Sequence, residues 1–277
     1  MNGFYWLASY PKSGNTWLRL FLESLAKGGK TYDINSLEKD IRPSSLRWDF
    51  DRILDIESSD MTDDEVADAR PRQYELEATD ATGPLLRKVH DAWNLTPSGE
   101  PLFPREVTLG AVYIVRDPRD VAVSYTHHLG KSTDYAIADM ANPMSTLGKT
   151  HRRLLIQLPQ RLCSWSEHVE SWLSAPIKLH LIRYEDMQAQ SMDTFSEVAR
   201  FLGFDSSPDK IAQAVEAVRF DRLQSAEAKS GFLDRLPHQE RFFRKGVAGG
   251  WRDSLSIAQV KRIEFDHGAV MKKLGYL

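Results

Sequence analysis

Four short runs along the chain are rich in apolar, β-branched or aromatic residues and end at polar ones: Phe4–Tyr10, Leu85–Val89, Leu109–Val115 and Ile177–Ile182. Each has the length and character of a buried strand. The stretches between them change period. Trp17, Leu18, Phe21, Leu22 and Leu25 repeat at helical spacing, and Gly28-Gly29 stops that helix. Trp165, His168, Val169 and Trp172 share one helical face, as do Phe195, Val198 and Leu202 ahead of Gly203. Ser207-Pro208 has the form of an N-cap followed by a first helical proline, opening a helix through Val218. Ser256 and Gln259 have capping-box spacing for a last helix towards Leu274. Strands alternating with helices predict an α/β fold, P-loop-like and three-layered, with a central parallel sheet flanked by helices. No internal repeat or low-complexity tract interrupts it, so a single domain over residues 1–277 is expected.

Two stretches fall outside this pattern. Residues 57–80 are acidic and poor in periodicity, and read as a solvated surface segment. Residues 131–161 lack a strand pattern and hold Gly148 and two prolines, which suits a mobile insertion or lid. Composition narrows the classes of function. A net charge of −3 argues against a nucleic-acid-binding surface, and local basic pockets remain compatible with it. One cysteine, Cys163, leaves no intramolecular disulfide and no thiol zinc site, and the scattered histidines, His127-His128 included, suggest no metal. The apolar run Phe4–Ala8 is too short for a signal sequence, and no run approaches membrane-spanning length. A soluble cytoplasmic protein is expected, binding neither nucleic acid nor membrane.

Chemistry-bearing residues gather at three of the predicted strand ends or loops. In "YPKSGNTW", residues 10–17, Gly14 lets backbone approach an anion at a helix N-terminus, Lys12 adds a positive charge, and Ser13 and Thr16 add hydroxyls. The Walker order is absent, because Lys12 precedes Gly14. Alone, this loop reads equally as a tight strand–helix turn with an exposed lysine. In "IVRDPRDVAVSYTHH", residues 114–128, Arg116 follows a strand and Asp117-Pro118 opens a helix carrying Ser124, so cation and hydroxyl can converge on one anion. In "RKGVAGGWRD", residues 244–253, Arg244 and Lys245 beside Gly246 form a cationic, glycine-rich loop. Taken singly, Arg116 suits a structural ion pair and the last loop suits a solvated basic turn.

In order and spacing, the three motifs together resemble the sulfotransferases that use 3′-phosphoadenosine 5′-phosphosulfate (PAPS), and the resemblance spans nearly the whole chain. "YPKSGNTW" resembles that family's 5′-phosphosulfate loop, with Asn15 where many members have Thr. "RDPRDVAVS" is similar to its 3′-phosphate motif and "RKGVAGGW" to its nucleotide-closing motif. "RYED" at 183–186 and "SWSEHVESW" at 164–172 also match family patterns, and the first twenty residues are most like bacterial sulfotransferases that tailor glycopeptide natural products. The resemblance implies PAPS as co-substrate, PAP as product and no metal. It implies a nucleotide site of Lys12, Ser13, Gly14, Asn15, Thr16, Trp17, Arg116, Ser124, Tyr184, Phe220, Arg244, Lys245 and Gly246, with Trp17 and Phe220 flanking adenine.

"LLRKVHDAW", residues 85–93, resembles the family's Lys-x-His catalytic strand, with Val89 in place of the common Thr. It implies His90 as general base, Lys88 on the same strand face neutralising sulfuryl oxygens, and Lys12 stabilising the leaving oxygen. The expected reaction moves a sulfuryl group to a hydroxyl of a small-molecule or natural-product acceptor. A P-loop nucleotide kinase and a catalytically inactive PAP-binding module are the competing readings. "RDSLSIAQVK", residues 252–261, corresponds to the family's dimerisation stretch and departs from it at both ends, so monomer and homodimer both stay open.

Overall fold

The computed structural model describes residues 2–29, 33–36, 41–149 and 154–277. In chain order the strands are β1 (Gly3–Ser9), β2 (Arg42–Pro43), β3 (Pro84–Val89), β4 (Thr108–Val115), β5 (Thr146–Leu147), β6 (Gln160–Arg161) and β7 (Leu179–Arg183). The helices are α1 (Asn15–Ala26), α2 (Arg47–Leu54), α3 (Asp63–Asp80), α4 (Pro118–Leu129), α5 (Thr133–Met140) and α6 (Trp165–Leu173). They continue with α7 (Tyr184–Ala189), α8 (Ser191–Leu202), α9 (Pro208–Ala217), α10 (Phe220–Ser230) and α11 (Ile257–Lys273). Five strands form a parallel sheet in the order β2-β3-β1-β4-β7, flanked by helices as the alternation of periods predicts. Among the described residues, no helix is long and apolar enough to cross a membrane.

The chain forms two compact units, neither contiguous in sequence. The first takes Met1–Tyr10, Arg42–Tyr113 and Asn142–His180; the second takes Pro11–Ile41, Ile114–Ala141 and Leu181–Leu277.

In the first unit, β1 lies third of the five strands and is covered on both faces, which explains why its sequence runs apolar without alternation. Phe4 and Trp6 project from one face and stack at 4.5 Å, and Tyr74 and Phe103 close around Trp6 at 5.1 and 5.0 Å. The Trp6 indole donates to Thr108 Oγ1 at 3.0 Å, so even this buried ring has its polar atom satisfied.

Tyr74 belongs to α3, and here the structure corrects the sequence reading. The acidic stretch is mostly an 18-residue helix, opened by a reciprocal capping box between Thr62 and Glu65. Its buried face is Val66, Arg70, Gln73, Tyr74 and Ala78, a regular helical stripe. Two of those five positions are polar, so the stripe is invisible to apolar periodicity. Arg70 is buried because Asp91 accepts both of its terminal nitrogens at 2.9 and 2.7 Å.

The stretch 131–161 carries more secondary structure than its sequence pattern predicts. Ser132 caps α5, which lies in the second unit. In the first unit Thr146–Leu147 pairs antiparallel with Gln160–Arg161, two strands too short for a pattern search to find. Residues 150–153 lie outside the described residues.

In the second unit, Phe21 of α1 stacks on Phe195 of α8 at 4.2 Å, and Trp17 meets the same ring edge-on at 5.5 Å. The last helix, α11, starts at the expected capping box, Ser256 with Gln259.

Candidate active site

The predicted anion loop lies at the start of the second unit. Gly14 is the N-cap of α1 with φ 107°, and its carbonyl takes the Trp17 and Leu18 amides at 3.0 and 3.2 Å. A Cβ at Gly14 would lie 2.6 Å from Cδ2 of Tyr184, so both backbone and packing require glycine there. Lys12 adopts φ 69°, a left-handed conformation that is costly for a residue with a side chain. No side chain caps α1, and no acidic residue stands in its first turn. Ser13 is 1% exposed, and its Oγ has no hydrogen-bond partner among the described residues. A buried hydroxyl without a protein acceptor, beside an uncapped helix start, suits an anionic ligand.

Arg116, just past β4, connects this loop to the C-terminal glycine loop. Its Nη1 donates to the Lys12 carbonyl at 3.0 Å and its Nη2 to the Val247 carbonyl at 3.1 Å. The guanidinium carbon sits 4.1 Å from the centroid of the Tyr184 ring. Tyr184 therefore packs against both Gly14 and Arg116. Trp17 lies edge-on to Tyr184 at 6.0 Å and donates from its indole to the Val218 carbonyl at 3.0 Å. Gly246 has φ 59°, and a Cβ there would lie 2.2 Å from Cε2 of Phe220. Lys12 Nζ rests 4.6 Å from the Phe242 ring centroid.

Four residues that sequence reading missed hold the C-terminal loop by its backbone. Gln188 donates to the Gly246 carbonyl and accepts from the Ala248 amide at 2.8 Å. Asp120 accepts from the Gly249 and Trp251 amides at 2.6 and 2.9 Å. Glu227 accepts from the Phe242 and Phe243 amides at 2.6 and 2.9 Å, and Gln224 donates to the Phe243 and Arg244 carbonyls at 2.9 and 3.0 Å. Asp120 lies one turn before Ser124 on α4, so the two share a helix face. No spacing rule points to these residues, because their partners are main-chain groups of a distant loop.

The electrostatics are cationic. Burial lowers the proton affinity of Arg244, and the charge of Arg116 lowers it further. Burial likewise holds the His127 pKa below its ordinary value, and the charges of Arg244 and Lys245 add to the effect. Mutually repelling cations gain stability when an anion enters among them. Asp120 shows the opposite strain: burial raises its carboxyl, which the two loop amides and Arg116 partly offset. Among the described residues, no group of three or more His, Cys, Asp or Glu could hold a metal ion.

The second unit thus contains Lys12, Ser13, Gly14, Asn15, Thr16, Trp17, Arg116, Ser124, Tyr184, Phe220, Arg244, Lys245 and Gly246. Lys88 and His90 belong to the first unit. Lys88 pairs with Leu7 of β1 and Pro43 of β2, and its carbonyl accepts the Ser44 amide at 2.9 Å. His90 follows the last residue of β3 and is buried. Its Nδ1 lies 2.8 Å from the Ser9 carbonyl, which can only accept. Nδ1 therefore carries the proton, and Nε2 is the basic nitrogen of the neutral ring.

The sulfotransferase domain family matches residues 4–275, and the chain belongs to that family. Over 275 residues it is 25% identical to sulfotransferase 1A1 of Canis lupus familiaris, which covers 97% of this chain and 83% of that one. Two solved structures share the fold. Mouse sulfotransferase SULT7A1 complexed with PAP matches at TM-score 0.62 and 19% identity, over 97% of this chain and 84% of that one. Retinol dehydratase in a complex with retinol and PAP matches at TM-score 0.62 and 23% identity, over 97% and 81%.

Proposed function

We propose that this member of the sulfotransferase family uses PAPS, transferring its sulfuryl group to a hydroxyl of a small-molecule or natural-product acceptor and releasing PAP. The observation that carries this reading is Arg116, which joins the Lys12 loop to the Val247 loop and so gathers all three anion motifs in one unit. Lys12, Ser13, Gly14, Asn15 and Thr16 take the 5′-phosphosulfate, through charge, hydroxyls and the start of α1. Arg116, Ser124, Arg244, Lys245 and Gly246 take the 3′-phosphate, the group that distinguishes PAPS from ATP. Trp17 and Phe220 flank adenine, and Tyr184 buttresses both Gly14 and Arg116.

In the chemical step the acceptor oxygen attacks sulfur in line with the departing phosphate oxygen. An O–S bond forms as the S–O bond to the 5′-phosphate breaks. The hydroxyl proton passes to His90 Nε2, and the negative charge leaves on PAP. Lys88 neutralises the sulfuryl oxygens, and Lys12 stabilises the leaving oxygen. The Nδ1–H tautomer of His90 supports its role as base, since it leaves the lone pair on Nε2. Retinoid-like alcohols join simple phenols in the first acceptor panel, because a fold neighbour was solved with retinol.

Thermal shift with PAP against ADP tests the nucleotide assignment. PAP should stabilise the protein more, whereas a preference for ADP would favour a nucleotide kinase. Turnover of a phenol with labelled PAPS, retained in excess EDTA, then separates a transferase from an inactive PAP-binding module and from a Mg²⁺-dependent enzyme.

A further inference from the structure

His168 of α6, in the first unit, is a buried histidine that the proposed reaction does not use. It is 0% exposed. Its Nε2 lies 3.0 Å from the main-chain carbonyl of His90, and its Nδ1 lies 2.8 Å from the Tyr113 hydroxyl. The Tyr10 ring meets it edge-on at 5.4 Å and the Tyr113 ring stacks at 5.7 Å. Burial holds its pKa down to about 4, so the ring is neutral at physiological pH and carries one N–H. A carbonyl can only accept, so that hydrogen is on Nε2 and Nδ1 accepts from the tyrosine.

One turn later on α6, Trp172 donates from its indole to the Asp91 carbonyl at 3.0 Å. The Asp91 side chain is clamped by Arg70 and takes the Arg161 amide at 3.1 Å. β3 ends at Val89, so the carbonyls of His90 and Asp91 lie past the strand and are held by side chains of α6, while Arg70 of α3 holds the Asp91 carboxylate.

We propose that His168 is a positioning residue for the transfer reaction: as the neutral Nε2–H tautomer it holds the His90 carbonyl and thereby aims the His90 imidazole. This rests on the reading of His90 as the base. With Nδ1 bound to Ser9 at one end of the residue and the main-chain carbonyl bound to His168 at the other, the ring has little freedom to swing. A general base must be held within a fraction of an ångström of its proton.

The test compares His168→Leu, which removes the donor, with His168→Gln, whose amide can restore it. His168→Leu should lower kcat about 10–100-fold with PAP affinity unchanged, and His168→Gln should recover most of that loss. Combined with His90→Ala, His168→Leu should cause no further loss, because it acts through His90. An equal loss in both backgrounds, a wild-type kcat in His168→Leu, or a His168→Gln enzyme as slow as His168→Leu would each overturn the proposal. If His90→Ala alone kept its rate, the base assignment would fail, a separate result. Should His168→Leu not fold, ¹⁵N-histidine spectra of the wild-type enzyme decide instead. His168 should stay in the Nε2–H form from about pH 5 to 8, and an Nδ1–H or titrating ring would overturn the proposal.

Discussion

Arg116 donates to the main-chain carbonyl of Lys12 at 3.0 Å, from 104 residues further along the chain. The contact makes a cation from one motif part of the scaffold of another. It also leaves the guanidinium in a like-charged neighbourhood with Arg244, a tension that a bound phosphate would relieve.

Arg116→Ala or Arg244→Ala should weaken PAP binding by about 1.5–3 kcal/mol each, the worth of a hydrogen bond to a charged group. Arg116→Lys should recover little of it, because a point charge cannot span the Lys12 and Val247 carbonyls at once. Isothermal calorimetry with PAP measures this, and unchanged affinity in both alanine variants would remove these residues from the nucleotide site.

Gly246→Ala should impair nucleotide binding more than folding. The new Cβ would sit 2.2 Å from the Phe220 ring at φ 59°, so loop or ring must move. Backbone strain of this kind is worth about 1–3 kcal/mol, and here it falls on the segment proposed to close over the 3′-phosphate. A lower PAP affinity with a nearly wild-type Tm is expected; a variant binding PAP as tightly as wild type would show that the loop's conformation is irrelevant to the ligand.

His90→Ala should lower kcat about 10²–10⁴-fold, the usual worth of a general base, while PAP affinity changes little. An acidic phenol should be affected less than an aliphatic alcohol, since it needs less help to ionise. Equal, near-wild-type rates on both acceptors would send the search for the base elsewhere.

Stability should depend on pH through His168. Its folded pKa, about 4, lies below its ordinary 6.5, so the unfolded chain binds the extra proton between those values. The stabilisation is complete above pH 6.5 and declines as pH falls towards 4, with a slope of up to about 1.4 kcal/mol per pH unit. Denaturant melts of wild type and His168→Gln across this range should show a shallower slope in the variant. Parallel curves would mean that the ring takes up its proton over the same pH range folded as unfolded.

Much of this protein was legible from its sequence, and for physical reasons. The period of the side chains reports local geometry, so the four main strands and the helices opening near Asn15, Trp165, Pro208 and Ile257 follow from spacing and capping residues alone. The candidate anion motifs stand out in the sequence because their chemistry sits in consecutive residues, as in Lys12 to Thr16. What stayed hidden depends on partners distant along the chain. Arg70 and Gln73 face inward on α3, and Arg70 is tolerated there because Asp91 neutralises it; without that pair the helix looks like solvated surface. Gln188 and Asp120 matter through backbone groups of the Gly246–Trp251 loop, which any sequence could present and only the fold brings within reach. His168 read simply as one position on a helical face, and tertiary packing gave its ring a carbonyl, a tyrosine hydroxyl and a single tautomer. Local periodicity and motif chemistry are properties of neighbouring residues, whereas the pairing of buried polar atoms is settled only when distant segments meet.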